Sequence, residues 1–70
     1  MTQAANQLPK NGQIITFTVT PPGSYTRIGE AYRVEHNGKK GHDYRFVSVE
    51  RGSSTYDRPH MVAHSQWLVA

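Results

Sequence analysis

The sequence predicts a small, mainly β domain. Short segments rich in β-branched and aromatic residues recur along the chain and are separated by glycine, proline and asparagine. No segment has the period of a long amphipathic helix. At 70 residues the chain holds one domain, and a chain of this size buries only about 60% of the surface that its unfolded form exposes. We therefore expect one small core.

The first strand is predicted over residues 13–20, QIITFTVT. Strict alternation would place Ile15, Phe17 and Val19 on one face and the threonines on the other. The strand should end at residues 21–23, Pro-Pro-Gly, because proline cannot donate a ladder hydrogen bond and the glycine favours a turn.

A hairpin is predicted next, with arms over residues 30–36 and 44–50. The Asn37-Gly38 pair between the arms is a strong hairpin signal, although the residues up to His42 imply a longer loop than the tightest type. A Tyr-Arg-apolar triplet begins at Tyr32 on one arm and at Tyr44 on the other.

The second arm changes its apolar face at Phe46 and Val47. Two explanations fit this change: the strand is buried on both sides, or a bulge shifts its register at that point. Either one is typical of a strongly bent strand in a small barrel.

The remaining segments are shorter. Residues 25–29 form either a short strand or a crossing loop, and residues 56–59 should be extended because they precede a proline. We expect a helical turn over residues 61–65 and a final strand over residues 66–69.

Five short strands favour a small antiparallel barrel or roll of the Src-homology-3-like type, because closure hides the edges of a small sheet. An oligonucleotide-binding-like barrel is the second choice. Residues 1–12 are polar and aperiodic, so we predict a flexible tail there and a single β domain over residues 13–70.

The chain lacks a secretory signal and an apolar run near the ~20 residues that span a bilayer, so we expect a cytoplasmic protein without membrane contact. With no cysteine, disulfides and thiolate metal sites are excluded. His60 and His64 are four residues apart, but no Glu completes a zinc motif. No nucleophile elbow or phosphate-binding glycine loop occurs. We expect no enzyme activity, no metal and no cofactor.

The basic residues of the hairpin are the first candidate site. Net charge is +3 and the pI is about 9.6, in the range of nucleic-acid-binding domains. Arg33 and Arg45 should lie near each other opposite the tyrosines, with Lys39 and Lys40 extending the basic surface to the loop. These four residues predict contact with DNA or RNA phosphates.

A protein partner is the alternative. The final strand carries Trp67, Leu68 and Val69, and an exposed edge there would pair with another chain, including a second copy in a homodimer. This interpretation describes a small accessory regulator or inhibitor that docks on a larger protein, of the kind encoded by phages or mobile elements.

Overall fold

The computed structural model describes residues 8–39 and 42–69, and for residues 37–39 and 42 it describes the backbone alone. The elements in chain order are β1 (Ile14–Val19), β2 (Ala31–Lys39), β3 (His42–Ser48), β4 (Ser54–Asp57), α1 (Pro59–Val62) and β5 (Gln66–Val69). The predicted mainly β class and the number of strands are confirmed.

All five strands form one antiparallel sheet in the order β4-β3-β2-β1-β5. β1 to β4 follow one another as a meander, and β5 returns to pair with the free side of β1. The sheet is not closed: in the part of the chain that the structure describes, β4 and β5 are its edges and share no ladder.

Val19 does not share the buried face of β1 with Ile15 and Phe17, contrary to the prediction. Ile15 and Phe17 are fully buried, as alternation predicts, but Val19 is 45% exposed. The register against β5 shifts between the Phe17–Trp67 and Val19–Gln66 pairs. One extra residue in β1 at this bulge turns Val19 to the same side as Gln66, away from the core.

Asn37 and Gly38 do not form the turn of the β2–β3 hairpin, contrary to the prediction. β2 continues through Asn37 and Gly38, and Lys39 pairs with His42. The register shifts between the His36–Tyr44 and Lys39–His42 pairs, so one extra residue is accommodated on β2 at Asn37-Gly38. The two residues that favour a turn form an irregularity within the strand instead.

The change of face at Phe46 and Val47 is not a bulge. Pairing with β2 runs without a shift from Ser48 to Tyr44, which overturns that alternative. Phe46 is fully buried, while Val47 lies half-buried on the opposite face of the same regular strand.

The C-terminal elements lie close to their predicted places. Pro59, which the sequence predicts to be extended, instead occupies the first turn of α1, where its missing N–H is not needed. α1 has four residues and ends before the predicted helical turn does, and β5 matches its predicted bounds. No helix in the described ranges is long and apolar enough to cross a membrane.

The core lies against one face of the sheet. Its apolar side chains come from four strands and from α1: Ile15, Phe17, Tyr32, Val34, Tyr44, Phe46, Val62 and Trp67. The ring of Phe17 meets Phe46 edge-on at 5.2 Å between centroids and Tyr32 at 5.9 Å. Such tilted and edge-on contacts between aromatic rings are favourable because of the charge distribution of the π-system.

The loop that joins β1 to β2, residues 20–30, lies over this core, and we call it the covering loop. Its Pro21 and Thr26 are buried, and the backbone N–H of Arg27 donates to the hydroxyl of Tyr32 at 2.8 Å. The opposite face of the sheet, which we call the outer face, is turned away from the core.

Residues 8–12, within the predicted tail, pack beside β2. Pro9 is fully buried, and Gly12 N–H donates to the carbonyl of Val34 at 2.7 Å. The side chain of Asn11 accepts from the backbone N–H of His36 at 3.0 Å. Residues 1–7 of that predicted tail lie outside the described residues.

Candidate functional site

The outer face of the hairpin holds two of the four predicted nucleic-acid contacts. Arg45 of β3 pairs with Glu35 of β2, and Arg33 lies two residues from Glu35 on the same face. The two arginines are therefore diagonal neighbours, on the side of the sheet opposite Tyr32 and Tyr44. The two arginines lie close together, with the carboxylate of Glu35 between them.

Arg33, Glu35 and Arg45 form an ion-pair cluster. Arg33 Nη2 lies 2.9 Å from Glu35 Oε2, and Arg45 Nη1 lies 3.0 Å from Glu35 Oε1. The side chains of Arg33 and Arg45 are 51% and 40% exposed, and that of Glu35 is 32% exposed. Two cations share one anion, so the cluster carries one net positive charge.

Donor groups remain available in this cluster. Arg33 uses Nε and Nη2 on Glu35, while Arg45 uses Nη1 on Glu35 and Nε on the hydroxyl of Ser54. A guanidinium has five N–H groups, so the Nη1 of Arg33 and the Nη2 of Arg45 remain without a partner among the described residues. The neighbouring contacts hold both guanidiniums in fixed orientations.

Glu35 stays ionised at neutral pH. The hydrogen bond from Arg33 lowers the pKa of its carboxyl, partly opposed by desolvation, and the charge of Arg45 lowers it further. The ionised carboxylate therefore offsets part of the positive charge of the two arginines and weakens the attraction of this surface for anions.

The other two predicted contacts fall at the hairpin end. The structure places the backbone of Lys39 at the last pair of the β2–β3 ladder, and its side chain lies outside the described atoms. Lys40 lies outside the described residues altogether. The predicted basic surface is thus described at its sheet part alone.

The predicted protein-binding residues lie on edge strand β5. Trp67 is only 4% exposed and belongs to the core, whereas Val69 is 37% exposed and Leu68 is half-buried. Any contact of Trp67 with a partner strand would therefore go through its backbone. The indole Nε1–H of Trp67 is buried without a hydrogen-bond partner in the described part of the chain.

The covering loop exposes residues that sequence reasoning did not select. Tyr25 is 86% exposed and Ile28 is 67% exposed, the two largest values among the exposed large hydrophobic side chains of the described chain. Arg27, also exposed, lies between them. The signal in the sequence is an aromatic, a cation and an aliphatic residue between Gly23 and Gly29, where no strand or helix period accounts for them.

A buried carboxylate holds the covering loop to β4. Asp57 is 8% exposed, and its Oδ2 accepts from the hydroxyl of Ser24 at 2.9 Å. Burial raises the pKa of Asp57, partly offset by the hydrogen bond from Ser24. The same hydroxyl lies 2.9 Å from that of Thr26 and accepts from the Thr26 N–H at 3.1 Å.

A third ion pair joins the end of the covering loop to the turn after β3. Arg51 Nε donates to Glu30 Oε2 at 2.8 Å, and the hydroxyl of Ser48 donates to the same oxygen. These two hydrogen bonds, that of Ser48 first, lower the pKa of Glu30. Because Arg51 is bound to Glu30, it is not part of the Arg33–Glu35–Arg45 cluster.

The histidine side chains that the structure describes do not gather into a metal site. His60 lies in α1 and His64 in the turn that follows, both exposed. Within residues 8–39 and 42–69, no three histidine, aspartate or glutamate side chains gather as metal ligands would. His36 instead packs edge-on against Tyr44 at 4.8 Å, with Nε2 3.2 Å from the carbonyl oxygen of Pro9.

Comparisons with known proteins supply no family and no function for this chain. No protein-family model, no curated protein and no solved structure matches it significantly. Any proposal for its function therefore depends on its own residues and their arrangement.

Proposed function

We propose that this protein is a non-enzymatic binding module that contacts the phosphates of DNA or RNA through the outer face of the β2–β3 hairpin. The observation that carries the proposal is the pairing of Arg33 and Arg45 with a single carboxylate. The cluster keeps a net positive charge, and both guanidiniums are exposed. Lys39 and Lys40 follow in the sequence of the same hairpin and would extend the contact.

The chemistry of the cluster suits a phosphate. Arginine donates paired hydrogen bonds to phosphate oxygens, and each of these guanidiniums has a terminal nitrogen without a described partner. A phosphate at this surface would release counterions from the nucleic acid, which makes the affinity depend strongly on salt. Contacts of this kind carry no sequence information, so we expect binding without sequence preference.

A roll of the Src-homology-3-like type remains our proposal for the architecture. The return of β5 to β1 after a four-strand meander supports it, as does the cover of one sheet face by a loop and a short helix. Small curled sheets of this kind commonly present a binding surface.

The test is a titration of labelled single-stranded and double-stranded oligonucleotides, followed by fluorescence anisotropy at several salt concentrations. We expect the affinity of the natural chain to fall steeply with salt. The Arg33→Ala/Arg45→Ala variant should bind more weakly for every sequence, and its logarithmic salt slope should be smaller by about 2. Glu35→Gln should bind more tightly because it removes the competing carboxylate.

Arg58→Ala is the matched control, because Arg58 is an exposed arginine that follows β4 and is not in the cluster. It should leave the salt slope closer to that of the natural chain than the double variant does. Equal affinities for the natural chain and the double variant, or no binding at low salt, would overturn the proposal.

A protein partner at the β5 edge is the second candidate. The observation that favours it is that β5 pairs with β1 on one side and has no described strand on the other, with Val69 37% exposed. Such an edge can accept a strand from a partner or from a second copy. Val49, an exposed apolar residue in the turn after β3, serves as the control. A complex that survives nuclease treatment, is lost in the Val69→Lys variant and persists in the Val49→Lys variant would support this candidate. A complex that both variants retain would contradict it.

A further inference from the structure

We propose that the covering loop is a second binding surface, which docks a protein partner that offers a carboxylate beside an apolar pocket. Tyr25, Arg27 and Ile28 form this surface. It lies on the core-covering side of the sheet, away from the Arg33–Glu35–Arg45 cluster, and the inference does not depend on nucleic-acid binding.

Two large apolar side chains of the covering loop face solvent. Tyr25 and Ile28 are 86% and 67% exposed, although the chain has few large apolar residues to place in its core. Burying such side chains against a partner is favourable by roughly 25 cal/mol for each Å² of apolar surface removed from water. Tyrosine and arginine are also enriched among the residues that dominate protein interfaces.

The covering loop is anchored to the rest of the domain. Ser24 Oγ donates to the buried Asp57 at 2.9 Å, and Gly29 N–H donates to the carbonyl of Phe17 at 3.1 Å. Thr26, between these two points, and Pro21, before them in the chain, are buried. A loop fixed at both ends and in its middle presents Tyr25 and Ile28 with little ordering entropy left to lose on binding.

The charge of the covering loop indicates which kind of partner it binds. Arg27 is exposed and has no ion-pair contact with a described residue, although its charge contributes to lowering the pKa of Glu30. Glu30 is the one acidic residue of the loop, and it is bound to Arg51 with only 10% of its side chain exposed. The free charge of the surface is therefore positive, and it complements a carboxylate on the partner.

The same chemistry disfavours two other occupants. A second copy seated on the same surface would bring two Arg27 guanidiniums together, which is repulsive. A nucleic acid would stack on Tyr25, but the aliphatic side chain of Ile28 has no aromatic face to offer a base. An apolar pocket with a carboxylate at its rim uses all three side chains.

The test selects a displayed library of random short peptides on the immobilised full chain, with counter-selection on Tyr25→Ser/Ile28→Ser. The selected peptides should combine aspartate or glutamate with neighbouring apolar residues. In calorimetric titrations, Tyr25→Ala and Ile28→Ala should each weaken binding by about tenfold or more. Arg27→Ala should weaken binding and reduce its dependence on salt.

Val49→Ala is the control, because Val49 is a 56% exposed apolar residue in the turn after β3. It should leave the affinity unchanged, and unaltered thermal melts should show that all variants are folded. The inference is overturned if no peptide is selected, if the peptides bind the double variant equally well, or if they lack acidic residues. Self-association that requires Tyr25, or oligonucleotide binding that Tyr25→Ala abolishes and Arg33→Ala/Arg45→Ala retains, would also overturn it.

Discussion

At the scale of single residues, Glu35 reduces the positive charge that Arg33 and Arg45 present at the outer face. The sequence places Arg33 and Arg45 on one face, but it does not show that a carboxylate lies between them at 2.9 and 3.0 Å. Exposed ion pairs contribute little to stability, so the cluster is better understood as a charged surface than as a support of the fold. Its net charge of +1 is smaller than the two arginines alone imply.

Folding lowers the pKa of Glu35 but raises the pKa of Asp57, so ionisation of Asp57 disfavours the folded state. Its pKa is raised above the ordinary value of 3.8 because the carboxyl is buried. The folded state therefore holds this proton more tightly than the unfolded state does. Ionised Asp57 costs stability at neutral pH, and that cost shrinks as pH falls through the folded pKa.

We therefore expect the stability of the natural chain to rise, relative to Asp57→Asn, as pH is lowered from about 7 to about 4. The amide removes the buried charge and keeps an oxygen that accepts from the Ser24 hydroxyl. Urea unfolding of both chains across this range measures the difference in the free energy of unfolding.

Glu50→Gln controls for the change in net charge, since Glu50 is exposed. A constant difference between the natural chain and Asp57→Asn at every pH would show that the Asp57 pKa is not raised by folding.

At the scale of elements, the local sequence pattern predicted well which strands exist. It predicted poorly how those strands pair in register. β-Branched and aromatic residues predict β1, and Gln66 to Val69 matches β5. Alternation failed at Val19, because whether a strand contains a bulge depends on the strand paired with it. Asn37-Gly38 failed as a turn for the same reason, since pairing with β3 continues past it.

The covering loop was the least predictable element. No periodic pattern distinguishes a strand from a crossing loop over residues 25–29. Its conformation is fixed by distant partners, because Ser24 bonds to Asp57 and Arg27 N–H to the hydroxyl of Tyr32. Exposure of Tyr25 and Ile28 is a consequence of those contacts, so this part of the candidate surfaces could be found only in three dimensions.

At the scale of the whole molecule, the fold depends on one small aromatic core. Phe46 is fully buried and contacts Phe17 at 5.2 Å and Tyr32 at 6.5 Å between ring centroids. Without cysteine no disulfide reinforces this core, and domains of ordinary size have only about 5–15 kcal/mol of stability. Loss of a single central ring should therefore affect the whole domain.

We expect Phe46→Ala to lower the free energy of unfolding by about 3–5 kcal/mol, because it removes buried apolar surface and leaves a cavity. Denaturant unfolding followed by circular dichroism measures this loss. Val49→Ala, at an exposed position, should change stability by no more than about 0.5 kcal/mol. Similar effects of the two substitutions would contradict the placement of the core.

The sequence by itself determined the mainly β class, the five strands and the sharing of one face by Arg33 and Arg45, because these follow from local propensity and a period of two residues. The tertiary structure alone decided that the sheet stays open, that Glu35 bridges the two arginines and that Tyr25 and Ile28 face solvent. Those features arise from contacts between residues far apart in the chain, whose geometry depends on strand order and register, and local pattern carries no record of either.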